Sequence, residues 1–203
     1  MSETKIKNAH VWERGELDWY VEPEAATASL LKEERFVGAI HDPACGQGNI
    51  VKTLIAHGYH ASGSDVVDRA GTPGWFKGKA DFLGPEAIFA DNIVTNPPFF
   101  RGKGTESFIR KALRVAKGKV AVFTELRFLT SSVRANGLYA EHPPTRIWMV
   151  TPRPSCPPGE FLLAGGEAKG GTPDFCWIIY DKTAPLLGTA FGWLRGDAKG
   201  EAP

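Results

Sequence analysis

The chain reads as an α/β protein built on a mostly parallel sheet with helices on both faces. Short apolar runs alternate with segments of helical period, the pattern of strands joined by helical crossovers. Two turn-rich motifs, Asp42-Pro43-Ala44-Cys45-Gly46-Gln47-Gly48 and Thr95-Asn96-Pro97-Pro98-Phe99, each follow directly on such a run. That is the edge at which open parallel sheets bind ligands. Near the C-terminus, Arg146–Thr151 and Phe175–Asp181 read as two late strands, joined by a long connection with no helical period that is unusual for a β-hairpin.

Residues 23–35 predict a helix, with proline at its start and Ala, Leu and Glu inside. Residues 36–41 are a short apolar run that reads as a buried strand ending at Asp42. After the glycine motif, residues 49–57 carry Ile50, Leu54 and Ile55 at helical spacing. Residues 60–67 form a second strand containing Asp65. Residues 69–79, rich in Gly and Lys, read as a loop in which Trp75 and Phe76 either cover a pocket or simply pack. Asn92–Thr95 is a strand that runs into the second motif. Phe108, Ile109, Ala112, Leu113 and Ala116 lie on one face of an amphipathic helix over residues 106–117. Residues 120–123 are strand-like and residues 128–139 helical. Residues 152–173, rich in Pro and Gly, form a long loop, and loops of that length tend to be functional or disordered. If the Arg146–Thr151 strand runs parallel to the others, this loop emerges at the ligand edge.

Size and composition narrow the class. With 203 residues, 42% hydrophobic and 23% charged, the chain suits one globular domain over 1–203. No apolar run approaches the roughly 18 residues of a membrane span. The first residues, Met1 to Lys5, lack the apolar stretch of a signal peptide, so a cytoplasmic location is expected. Three cysteines, Cys45, Cys156 and Cys176, without a C-x-x-C pair, point to reduced thiols and to no metal site. The five histidines, His10, His41, His57, His60 and His142, form no ligand-spaced cluster. Net charge is only +1, but residues 101–119 hold seven Lys or Arg against the single acid Glu106. That stretch is either a solvated helix face or a phosphate contact.

The glycine motif follows a strand and opens a helix, so Gly46 and Gly48 permit a tight turn and a close ligand approach. Asp65, at the end of the next strand, suits the two hydroxyls of a ribose. A dinucleotide fingerprint wants a third glycine, where this chain has Val51, and a pyrophosphate would meet the charge of Asp42. An acid before the glycines better suits a cationic ligand. S-adenosylmethionine, with its ammonium and sulfonium, is the expected cofactor.

In Asn96-Pro97-Pro98-Phe99 the prolines fix φ and remove two backbone donors, which leaves bare carbonyls. The Asn96 side-chain oxygen and the Pro97 carbonyl are then placed to accept both hydrogens of one exocyclic amino group. An aromatic amine is a poor nucleophile because its lone pair is delocalised. Accepting both hydrogens favours a pyramidal nitrogen and frees that pair. Phe99 offers a flat face for a base, worth roughly 1–3 kcal/mol in stacking. A duplex base would have to flip out to reach it.

Taken together these residues resemble the amino-methyltransferases of the class I fold, especially the DNA adenine-N(6) branch. The glycine segment is similar to their motif I, and Asn96-Pro97-Pro98-Phe99 matches their motif IV. The resemblance, over about residues 18–181, implies a Rossmann-like class I methyltransferase with a seven-stranded, mostly parallel sheet and a C-terminal antiparallel hairpin. It implies catalytic roles for Asn96, Pro97, Pro98 and Phe99. It implies cofactor contacts at Asp42, Ala44, Cys45, Gly46, Gly48, Asp65, Val66 and Asn96, with Asp81 at the adenine amino group and Phe82 at its ring. The segment Asp18-Trp19-Tyr20-Val21-Glu22-Pro23 is similar to the Tyr-x-Thr-Pro segment that helps enclose the cofactor, which adds Tyr20 and Pro23, with Glu22 where that family has Thr. The order of motifs is like the γ arrangement, and the small size like that of phage or prophage orphan enzymes. A separate target-recognition domain is not expected. DNA is the expected partner, contacted by Phe99, Arg101, Lys103 and Arg153, with Lys169 of the 152–173 loop also at the nucleic acid. The alternatives are an RNA adenine or DNA cytosine-N(4) enzyme, more remotely a protein-glutamine enzyme, or a non-catalytic module that binds cofactor or nucleic acid.

Overall fold

The computed structural model describes residues 17–85, 90–185 and 187–196. Met1 to Lys5 and His10 lie outside those residues. The elements in order are α1 (Glu24–Glu33), β1 (Ile40–Asp42), α2 (Asn49–Ala56), β2 (Ala61–Asp65), β3 (Phe76–Lys79) and β4 (Asn92–Thr95). A 3-10 turn (Phe100–Gly102), α3 (Lys103–Val115), β5 (Lys119–Glu125) and a second 3-10 turn (Leu126–Thr130) follow. Then come α4 (Ser132–Asn136), α5 (Leu138–Glu141), β6 (Arg146–Thr151), α6 (Gly159–Leu163), β7 (Phe175–Asp181) and β8 (Ala190–Arg195).

The strands form one eight-stranded sheet in the order β3-β2-β1-β4-β5-β7-β6-β8. The pairs from β3 to β5 are parallel. β7 lies antiparallel between β5 and β6, so β6 points the same way as the parallel strands. The parallel sheet and the antiparallel β6–β7 pair agree with the fold read from the sequence. Strand order reverses between β1 and β4, where the chain steps outward through β2 and β3 before returning. This switch point opens a crevice beyond the carboxyl ends of β1 and β4.

Strand alternation builds the two core layers. On β5, Ala121 and Phe123 join Leu30, Ile50, Leu54 and Trp177 under α1 and α2. Val120 and Val122 join Ile93, Ile109, Ala112 and Ile178 under α3. Each fully buried side chain of this size is worth about 1.5–3 kcal/mol relative to exposure. β1 is buried at all three positions, and its His41 ring bonds Ser62 Oγ and Ser64 Oγ, each at 3.0 Å. Burial, reinforced by Lys77, lowers the His41 pKa to about 4 and keeps the ring neutral.

Four local expectations change. The 69–79 segment ends in strand β3, whose four residues alternate between half-buried and exposed at the sheet edge. Its Lys77 and Lys79 are the charges by which edge strands resist further pairing. An eighth strand, β8, lies parallel to β6 at the sheet edge; Leu194 is its buried residue, while its Phe191 and Trp193 are more than half exposed. The helix expected over 128–139 is a 3-10 turn and two short helices, interrupted at Gly137 (φ −114°, ψ −96°). The 152–173 loop contains helix α6 and docks on the N-terminal segment: Val21 N donates to Pro157 O at 3.0 Å and Gly159 N to Trp19 O at 2.9 Å. It does emerge at the carboxyl edge, because β6 is parallel.

At the opposite, amino edge of the sheet sits a network around Glu34. The Glu34 carboxylate takes hydrogen bonds from Arg146, from Lys119 Nζ at 2.7 Å and from Trp148 Nε1 at 3.0 Å. Asp181 adds a second carboxylate, 3.0 Å from Arg146 Nη2. Burial raises the Glu34 pKa, but these donors more than reverse it and hold the carboxyl below its usual range. The three cysteines are free and buried. Among the described residues no helix is long and apolar enough to cross a membrane, and no group of three or more His, Cys, Asp or Glu is arranged to hold a metal ion.

Candidate cofactor and amine-binding site

The loop after β1 turns sharply into α2. Gly46 has φ +51° and Gly48 φ +88°, the left-handed region that glycine alone adopts without strain. Space is equally restrictive. A Cβ on Gly48 would lie 2.3 Å from the Trp75 ring, and one on Gly46 would lie 2.7 Å from Trp19 Nε1. Trp75 is thus a packing partner of the turn. The turn is tied to both neighbouring strands: Ala44 N donates to Asp42 Oδ1 at 3.1 Å and Gly46 N to Asp65 Oδ2 at 2.9 Å. Asp65 Oδ1 accepts from Val67 N at 3.0 Å and from Arg69 at 3.1 Å.

The loop after β4 carries Asn96. Its Nδ2 donates to Tyr20 O at 3.0 Å and to Glu22 Oε2 at 2.7 Å. A main-chain carbonyl can only accept, so these two bonds fix which end of the amide is nitrogen. Both amide hydrogens are thereby engaged, and Oδ1 is left as an acceptor. Phe99 stacks on Tyr20, with centroids 6.0 Å apart and planes at 27°. Among the described residues the non-glycine residues with positive φ are Asp18 (51°), Phe100 (39°) and Arg101 (57°). Such backbone strain concentrates at functional sites. Here Asp18 Oδ2 holds the turn by accepting from Phe100 N at 2.6 Å.

A cavity of about 350 Å³ lies between the two loops at the switch point. Of the residues singled out in the sequence, Tyr20, Ala44, Cys45, Gly46, Asp65, Val66, Asp81, Asn96, Pro97, Pro98 and Phe99 line it. Pro23, Asp42 and Gly48 stand outside the lining: Pro23 is the N-cap of α1, Gly48 the N-cap of α2, and Asp42 is 1% exposed at the end of β1. Phe82 is a correction. It is 1% exposed, with its ring centroid 5.1 Å from that of Phe108. The turn sends Asp81 and Leu83 to the cavity and Phe82 into the core. Arg101 lines a neighbouring cavity, Lys103 begins α3, and Arg153 is paired with Asp174 at 2.7 Å on an exposed surface. The basic stretch also divides. Lys119 joins the Glu34 network and Arg110 pairs with Glu106 and Glu141. Sequence reasoning did not name Trp19, Glu22, Arg69, Leu83 or Phe108 as wall residues. Glu22, standing where the resembled family has Thr, was the one with a legible signal.

The cavity is acidic: Asp18, Glu22, Asp65 and Asp81 line it against Arg69, which pairs with Asp65. Asp42 is buried beneath the turn, and among the described residues neither it nor Glu22 has a cation beside it. Burial pushes the Asp42 carboxyl well above its ordinary value, and Glu22 and Asp65 raise it further. Burial raises the Glu22 pKa to about 7, even against the hydrogen bond from Asn96. The Cys45 thiol is pushed up by burial and by Asp42 and Asp65, so it is no nucleophile. Buried carboxyls that lack a protein cation suit a positively charged ligand. This is the fit expected of S-adenosylmethionine, and the glycine turn leaves room for a ligand against the backbone.

No family model matches the chain, and no curated protein matches it in sequence. Solved structures do match it. A candidate RNA methyltransferase from Pyrococcus horikoshii superposes with a TM-score of 0.62 at 16% identity, covering 87% of this chain and 94% of that one. A modification subunit of a candidate type I restriction enzyme from Vibrio vulnificus gives a TM-score of 0.57 at 12% identity, over 92% of this chain and 49% of the subunit. A predicted O-methyltransferase from Agrobacterium tumefaciens gives 0.56 at 14% identity, over 88% and 89%. The chain therefore has the Rossmann-like fold shared by these methyltransferases.

Proposed function

We propose that the protein transfers a methyl group from S-adenosylmethionine to the exocyclic N(6) amino group of adenine in DNA. The observation that carries this reading is Asn96. Its two N–H groups are taken by Tyr20 O and Glu22 Oε2, which leaves Oδ1 as an acceptor beside Pro97, Pro98 and Phe99 on the same cavity as the glycine turn. The cofactor, when bound, supplies an electrophilic methyl group on a sulfonium. Asp65 is offered for its ribose hydroxyls, Asp81 for its adenine amino group, and Leu83, in place of Phe82, for the ring. The carboxyls of Asp42 and Glu22 favour its positive charge.

The chain's own part in the reaction is positioning. Asn96 Oδ1 and the Pro97 carbonyl accept the two hydrogens of the target amine, which localises its lone pair. Phe99, 8% exposed and held by Tyr20, presents a ring face for the base. With the amine held by these neutral acceptors, its surplus proton passes from nitrogen to water after transfer. Fixed geometry of this kind removes much of the entropic cost of bringing two reactants together.

An RNA substrate is the second reading. It is favoured by the near-complete mutual coverage with the Pyrococcus horikoshii protein, 87% and 94%. Tritium transfer from labelled cofactor to DNA, RNA and protein in parallel, followed by digestion to nucleosides, decides among them. N(6)-methyldeoxyadenosine supports the first reading and N(6)-methyladenosine the second. Cofactor binding with no transfer to any polymer overturns both and leaves a binding module.

A further inference from the structure

The geometry points to a second site, a phosphodiester-binding cavity on the far side of Phe99 from the glycine turn. It rests on the reading of a nucleic-acid substrate and adds how that substrate is held. The cavity measures about 390 Å³ and shares Phe99 with the first. Arg101, Arg127 and Arg134 line it against one acid, Glu125. Glu125 pairs with Arg127, its neighbour two residues along. Arg134 is oriented by its Nε bond to Phe128 O at 2.8 Å and by the Phe128 ring 4.1 Å away. Arg101 has no ion-pair partner among the described residues. Positive charge exceeds negative here, the reverse of the acidic first cavity.

Two further observations choose an anion, and a phosphate in particular. Helix α3, thirteen residues long, begins at this cavity with Gly102 as its N-cap and no side chain capping it. Its first N–H groups are already used inside the chain, Lys103 N on Phe100 O and Gly104 N on Phe99 O, so what the helix start offers an anion is its partial positive charge. Thr105, in the first turn of α3, lines the cavity at 0% exposure, and its Oγ1 makes no hydrogen bond. A buried hydroxyl without a partner costs stability unless a ligand completes it. The strained Phe100–Arg101 turn, held by the Asp18 bond to Phe100 N, is what places Arg101 there. A base stacked on Phe99 in the first cavity therefore has an adjoining seat for one of its own flanking phosphates. The chemistry that fits is a polynucleotide phosphodiester, read by planar guanidinium groups and a helix start.

The test uses a short fluorescein-labelled oligodeoxynucleotide with a single adenine, its ribonucleotide counterpart, and versions of the DNA in which one linkage beside the adenine is a neutral methylphosphonate. Anisotropy is followed against salt for the wild type, R101Q, R127Q and the double variant, with methyl transfer read in the same samples. Each substitution should weaken binding about three- to tenfold and flatten the salt dependence by roughly 0.7 for each phosphate no longer neutralised, as expected for single strands. The methylphosphonate should cost the wild type a similar factor and the double variant much less. Weakened binding that depends on the arginines, without methyl transfer, supports the phosphate site and sinks the proposed reaction. Transfer that is indifferent to both arginines and to linkage charge sinks the site and leaves the reaction. A wild type that binds neither oligonucleotide also overturns the site.

Discussion

The two ends of one sheet treat buried carboxylates in opposite ways. At the amino edge Glu34, 2% exposed, is surrounded by Arg146, Lys119 and Trp148 and is held ionised. At the carboxyl edge Glu22 and Asp42, 7% and 1% exposed, have an amide and a backbone N–H for company and are pushed toward the neutral form. Burial alone cannot explain the difference, since it acts on all three. The supply of cations does. The amino edge is complete as a protein, while the carboxyl edge is an electrostatic site that a positive ligand would complete.

The comparison can be broken at either end. Glu34→Ala strips the carboxylate that bonds both Arg146 and Trp148. It should cost about 3–5 kcal/mol, as when one partner of a buried network is removed, measured as a lower urea midpoint. A destabilisation below about 1 kcal/mol would reduce the network to a surface ion pair. At the other end Asn96→Ala should lower methyl transfer by about 10²–10³-fold, the scale of removing a preorganised polar group. Cofactor affinity by calorimetry should largely survive. Retained transfer would remove Asn96 from the amine clamp.

Glu22 sharpens the contrast through pH. Its folded pKa of about 7 exceeds the ordinary 4.5, so the folded state binds more protons than the unfolded state between these values. Stability of the cofactor-free protein should therefore fall as pH rises from about 4.5 to 7, by about 3 kcal/mol in total from this group. Glu22→Gln should flatten that slope, leaving the part that the raised Asp42 carboxyl contributes with the same sign, while keeping an oxygen acceptor for the Asn96 bond. Glu34 and Asp181 act with the opposite sign. Asp181 is lowered to about 2 by its bonds to Thr183 and Arg146, against its burial. Their contribution is present at neutral pH and is lost as pH falls below about 4 toward 2. A urea-stability profile whose two limbs do not separate in the E22Q and E34A variants would contradict the assignment. The smallest effect is expected at Asp65, where Ala should weaken cofactor binding about tenfold. Unchanged affinity would mean that the carboxylate only braces Gly46 N.

Much of this was legible from residues alone, and for identifiable reasons. β1, β4, β5 and α3 declare themselves through burial on both faces or through a helical stripe. Gly46 and Gly48 were readable because no other residue suits their φ. β3 was hidden because it is an edge strand with little apolar alternation, and β8, although it carries Phe191, Trp193 and Leu194, is broken by Gly192, which weakens a strand pattern. Phe82 was misplaced because its neighbours in the turn, Asp81 and Leu83, face the cavity while it faces the core. That alternation is set by turn geometry and leaves no mark in the letters. The second cavity was invisible for a different reason: Arg101 and Arg127 lie in two 3-10 turns and Arg134 in the short helix α4, brought together by the break at Gly102 and the irregular chain from 126 to 141.

The clasp between the N-terminal segment and the loop after β6 has a consequence for how the protein is made. Trp19 O bonds Gly159 N and Val21 N bonds Pro157 O, joining stretches more than a hundred residues apart in the chain. Contacts of such sequence separation form late and slow folding. During synthesis the first motif therefore emerges long before the loop that its covering segment docks on. The finished cavity is a property of the whole chain, and its occupancy reports on whether translation and folding have both reached residue 159.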